Sequence, residues 1–151
     1  MSLRADRNYH AGASVEYFMS EVAERGIIVT HSTSASGAGL DDANGVVKIP
    51  TGTGDGNPAG LLLCDMVNKD LTQTHLNYQK DEVQIGGKVT VLTRGWVVTN
   101  MIKTGETPAG GAAAYFDADG ELSATGGSPQ VGVWKGAKDS DGFAKVAITV
   151  E

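Results

Sequence analysis

Three histidines, one cysteine and two Asp-x-Asp-Gly segments are where this chain of 151 residues could build chemistry. His10, His31 and His75 stand far apart, and none has a zinc-ligand neighbour at motif spacing, so each reads as a surface or structural histidine. Cys64 closes the apolar run Leu61-Leu62-Leu63 and reads as a small buried hydrophobe, not as a nucleophile. Asp117-Ala-Asp119-Gly120 and Asp139-Ser-Asp141-Gly142 place carboxylates two residues apart, a spacing that can chelate a hard cation. An EF-hand loop needs further ligands before its glycine and a glutamate at its last position, and neither segment has them. Asp-Gly is also a hairpin signal, because a type I′ turn requires positive φ. Both segments are therefore read as hairpin turns, and no divalent metal is expected.

The remaining motifs are negative. No nucleophile-elbow pattern occurs. Gly87-Lys88 is followed by Val89, and the first glycine of a phosphate loop would fall on Glu82. Gly52-Thr-Gly54-Asp-Gly56 runs into Asn57-Pro58 instead of a helix, so it reads as flexible backbone. Asp81 and Glu82 are adjacent, and on a strand they point to opposite faces. Trp96 and Trp134 could line a carbohydrate site, but tryptophans without a polar cluster are more often core anchors. The expectation is a protein with no catalytic residue, no cofactor and no metal.

The elements that would position these residues are strands. Glycine supplies 21 of the residues, about twice the ~7% average. Together with the many Val, Ile and Thr residues, that is the composition of short strands joined by tight turns. Turn signals recur every 8–12 residues after Asp81, roughly the spacing of a small antiparallel β-barrel or sandwich. Strands are expected at Ile27–Thr30, Val46–Ile49, Gly60–Cys64, Lys88–Arg94, Trp96–Thr99, Ala112–Phe116, Val131–Trp134 and Phe143–Val150. One short helix is predicted over Val15–Arg25, because Val15, Phe18, Met19 and Val22 recur at i, i+3, i+4 and i+7 and Gly26 stands as a stop. A strand through Tyr17–Val22 is the competing reading. Met1–Ala13 is polar and reads as an arm. The expected fold class is mainly β: residues 1–45 forming the arm, helix and loop, and residues 46–151 forming a β-domain, within a single compact domain.

Charge narrows the partners. The formal net charge is −6, which disfavours nucleic-acid backbones as a binding partner. Apolar runs reach only about four residues where a membrane span needs about twenty, so no membrane contact is expected. The first residues lack the apolar stretch of a signal peptide, so synthesis in a cytoplasm is expected. One cysteine permits no intrachain disulfide.

The block from Gly60-Leu-Leu-Leu-Cys-Asp-Met-Val to Thr-Arg-Gly-Trp-Val-Val-Thr-Asn100 resembles the central part of a family of tailed-bacteriophage virion proteins. Gly105-Glu-Thr-Pro-Ala-Gly110, Ala114-Tyr-Phe-Asp-Ala-Asp-Gly120 and Val131-Gly-Val-Trp134 are similar to phage head decoration, or capsid cement, proteins more broadly. The resemblance implies a structural, non-enzymatic protein on the capsid surface of a virion, made in the host cytoplasm. It also implies binding to the major capsid protein, bridging of neighbouring capsid subunits, and self-association as a trimer. Beside it stands the arm, with Arg4 and Arg7 as cations and Tyr9 as an apolar anchor. These three residues, with Phe18 on the apolar stripe, are the candidate interaction residues. The arm is expected to dock on an acidic patch of the capsid or a sister subunit, and its removal to leave the melting point nearly unchanged. The alternative is another β-type virion module, a tail or spike component binding cell-surface glycans through Trp96 or Trp134.

Overall fold

The computed structural model describes residues 2–4, 8–9, 14–35, 45–52, 57–67, 82–126 and 129–150. Strands in chain order are β1 (Asn8–Tyr9), β2 (Ser14–Met19), β3 (Ile28–Ala35), β4 (Gly45–Lys48), β5 (Pro58–Leu62), β6 (Asp65–Val67) and β7 (Glu82–Gln84). They continue as β8 (Lys88–Leu92), β9 (Arg94–Thr99), β10 (Ala113–Phe116), β11 (Leu122–Ser123), β12 (Gly132–Trp134) and β13 (Ala144–Thr149). The order β2-β4-β3-β5-β8 closes into a barrel, and β1-β9-β13-β12-β10-β11 forms a six-stranded sheet. The mainly β expectation holds. Among the described residues the strands pair antiparallel except β2 with β4 and β6 with β7, which are parallel, as is the isolated bridge from Ile102 to Leu122.

The helix over Val15–Arg25 is not there: the described residues contain no α-helix, and Ser14–Met19 is a barrel strand. The physical reason is that its backbone groups find partners on both sides. Ser14 to Phe18 pair antiparallel with Leu92 to Lys88, while Phe18 and Met19 pair with Val46 and Val47. The helical spacing does not mark one buried face either. Met19 is fully buried, whereas Val15 is 38% and Val22 51% exposed. Gly26, expected to stop a helix, instead takes positive φ in the turn that leads into β3.

The core is laid down by strands buried on both faces. Val29, Leu62 and Val91 belong to the barrel core with Met19, Val47, Met66 and Val89. Their chain neighbours Ile28, Leu61 and Leu92 belong instead to the core beneath the sheet, with Val97, Phe116, Trp134, Val146 and Ile148. Side chains alternate along a strand, so β3, β5 and β8 wall the barrel with one face and pack under the sheet with the other. β5 runs past β8 at very close range at Gly60. Gly60 has positive φ, and an added Cβ there would strike the carbonyl oxygen of Leu92. The β3–β5 register also shifts here, as Val29 faces Gly60 and Thr30 faces Pro58.

Candidate interaction surfaces

The arm is tied to the sheet. Leu3 forms a bridge with Thr99 and is 2% exposed within the sheet core. The Arg4 amide donates to the Val98 carbonyl at 3.0 Å. Further on, Asn8 and Tyr9 pair with Trp96 and Gly95, adding β1 to the free edge of β9. The arm is thus anchored to the sheet at Leu3, Arg4 and β1. A chain end normally frays unless strand pairing or docking holds it, and this one has both.

Arg4 already has partners within the chain. Its Nη2 lies 3.0 Å from Asp141 Oδ2 and 3.3 Å from Asp139 Oδ2, and its guanidinium carbon sits 4.2 Å from the centre of the Phe143 ring. The Asp139 Oδ1 accepts from the amides of Asp141 at 2.9 Å and Phe143 at 3.0 Å. These amide bonds, the Phe143 bond first, and the Arg4 charge hold the Asp139 carboxyl below the usual aspartate range. Phe18 lies on β2 in the barrel wall, half-buried, with Lys88 Nζ 5.9 Å from its ring centre. Arg4 and Phe18 thus belong to different sheets. Tyr9 is placed by its backbone pairing alone, and Arg7 lies outside the described residues.

The two Asp-x-Asp-Gly segments are turns of one design. Asp117 Oδ1 accepts from the amides of Asp119 and Glu121 at 3.0 and 3.1 Å, as Asp139 does from its own turn. The Gly120 amide bonds the Asp117 carbonyl and the Gly142 amide bonds the Asp139 carbonyl, each at 3.1 Å. Positive φ occurs at Gly120 and Gly142 and, among the described residues, at no non-glycine residue. Hence the turns are three-residue loops ending in a left-handed glycine, not two-residue type I′ turns, which need positive φ at both central positions. One oxygen of each first aspartate caps its own turn. Among the described residues no group of three His, Cys, Asp or Glu side chains could hold a metal ion.

The tryptophans divide. Trp134 is completely buried in the sheet core, so it cannot meet a glycan. Trp96 is half-buried on the outer face, and Lys145 Nζ stands 4.1 Å from its ring centre.

One polar cluster escaped the sequence reading. Glu106 accepts from Thr125 Oγ1 at 2.8 Å, Ser123 Oγ at 3.1 Å and the Ala124 amide at 3.3 Å. The Thr125 bond leads the causes that lower its pKa. Only the separation of Glu106 from Ser-Ala-Thr hid it, since no local motif joins residues that far apart. Glu121 shifts the other way: partial burial, then the charges of Asp117 and Asp119, raise it.

A family model described as structural cement protein (E217 gp24/Pam3 gp6), a phage cement family, matches residues 8–149. Among curated proteins, none matches the chain.

Proposed function

The chain belongs to the phage structural cement protein family, and on that premise we propose that it binds the outside of the capsid and bridges neighbouring major capsid subunits as a trimer. A structural role in the virion capsid is what the family carries. The observation that supports the finer reading is the extent of the match, which runs through both the barrel and the six-stranded sheet. A barrel and a sheet joined through β3, β5 and β8, whose side chains enter both cores, offer two rigid surfaces on one body, which a bridge between two subunits requires. The acidic net charge suits the outer shell surface better than a surface facing DNA. Arg4, Arg7, Tyr9 and Phe18 remain the proposed contact residues, but Arg4 must then serve the capsid from its place beside Asp139 and Asp141.

The test is a cryo-electron map of the parent particle together with sedimentation equilibrium of the free protein. Density for this fold spanning two capsid subunits on the outer surface, and a trimer mass at micromolar concentration, are the expected results. Density confined to the tail would overturn the bridging role, and a monomer at all concentrations would overturn the trimer.

A further inference from the structure

The four central strands of the sheet, β9, β13, β12 and β10, carry no carboxylate, although the chain holds 18 acidic and 12 basic residues. Registers align one outward row across them: Ala113 opposite Val133, Val133 opposite Ala147, and Ala147 opposite Trp96. All four are half-buried. The solvated face of an antiparallel sheet ordinarily alternates to polar residues, yet this row is apolar. The described charged residues at outward positions here are cations: Arg94 and Lys145 on the strands, and exposed Lys135 just past β12.

Two shallow depressions lie side by side here. One is lined by Val133, Lys135 and Ala147, the other by His31 and Pro58, and both by Gln130 and Thr149. Sharing two residues, they make one groove that runs from the outer sheet face onto β3 and β5 of the barrel. Among the described residues no carboxylate lines it. Among the described residues, acids stand in the Asp117–Glu121 and Asp139–Asp141 turns, at Glu106, on β6 and β7, and along β2 and the segment just after it.

We infer that this groove docks an acidic segment of the capsid subunit, whose apolar side chains sit on Val133 and Ala147 and whose carboxylates reach Lys135. The inference rests on the capsid-binding role proposed above and adds to it one surface beyond the contact residues named there. Charge complementarity carries it: a protein of net charge −6 repels an acidic partner over most of its surface, and this face is where such a partner is attracted. Apolar contacts in the row add affinity that does not depend on salt.

The experiment measures binding of labelled full-length protein to expanded capsid shells purified without it. The variants are Lys135→Glu at the groove rim and Ala147→Glu in the apolar row, with Val22→Glu at the exposed barrel end as control. Lys135→Glu should bind roughly tenfold more weakly at low salt, the gap closing towards about 0.5 M salt as the charges are screened. Its melting temperature should match the wild type, since Lys135 is exposed. Ala147→Glu should weaken binding at all salt concentrations, and Val22→Glu should bind as wild type. If wild-type protein itself fails to bind shells, the capsid role falls. If wild type and both groove variants bind equally, the role stands and the groove assignment is overturned. A changed sedimentation mass with unchanged shell binding would also overturn it, making the groove a contact between copies. Should Ala147→Glu fail to fold, Lys135→Glu decides alone.

Discussion

Glu106 shows how much a single side chain can hold here. Its carboxylate gathers two hydroxyls and an amide from Ser123 to Thr125, and so fixes the end of β11 to the loop before β10. The folded-state pKa is lowered. The stabilisation is therefore fully present above the unfolded value, about 4.3, and is lost as pH falls through the lower folded value. Glu106→Gln should cost about 1 kcal/mol at neutral pH, a figure discounted because the site is partly exposed. Thermal melts of wild type and variant should differ most near neutrality and converge below about pH 4. A difference that ignores pH would mean the carboxylate charge plays no part. Gly60 is the opposite case, where the absence of a side chain matters. Gly60→Ala puts a Cβ against the Leu92 carbonyl at positive φ, so a loss of about 2–3 kcal/mol is expected. At about 2–4 °C per kcal/mol, the melting temperature should fall by roughly 5–10 °C. An unchanged melt would show that β5 and β8 can move apart at no cost.

At the scale of elements, the readable parts were those governed by neighbours in sequence. Val131–Trp134, Ala112–Phe116 and the closing strand were legible because period-two burial and flanking turn residues agree there. The segment Val15–Arg25 was not. Its spacing fits a helix, and the partners that make Ser14–Met19 a strand come from Lys88–Leu92, some seventy positions on, and from Val46 and Val47. β3 likewise continues to Ala35, past the strand expected at Ile27–Thr30. The candidate site was legible only in residue type. Arg4 was picked out for its charge, but its partners Asp139 and Asp141 lie at the other end of the chain, where spacing says nothing. The arm was undervalued for the same reason. With Leu3 buried against the sheet, Leu3→Ala should cost about 2 kcal/mol, the low end for a core leucine because a terminal segment can relax. Deleting residues 1–4 should lower the melting temperature comparably or more. If neither change moves the melt, the segment is a bystander of the fold and is free for a partner.

For the whole molecule, the question is whether barrel and sheet are two stabilities or one. Each has its own core cluster, which argues for two. The clusters are not built from separate chain segments, however. Ile28 and Val29, Leu61 and Leu62, and Leu92 and Val91 are neighbours in sequence whose side chains enter opposite cores. Unfolding the barrel would pull β3, β5 and β8 away from the sheet, taking Ile28, Leu61 and Leu92 out of a core in which each is fully buried. Exposing three such side chains costs roughly 5–9 kcal/mol in transfer alone, comparable to the whole stability of an ordinary domain. A state with the sheet intact and the barrel open should therefore never accumulate. The expected result is one calorimetric transition of about 100 kcal/mol at 60 °C for a chain of this size, with a van't Hoff enthalpy equal to it. Val29→Ala in the barrel core and Val146→Ala in the sheet core should each shift that single transition without splitting it. A van't Hoff enthalpy near half the calorimetric value, or a variant that melts one half first, would mean that the shared strands do not couple the two bodies. The bridging role proposed above would gain from such coupling, because load applied to one surface could not unfold that half alone.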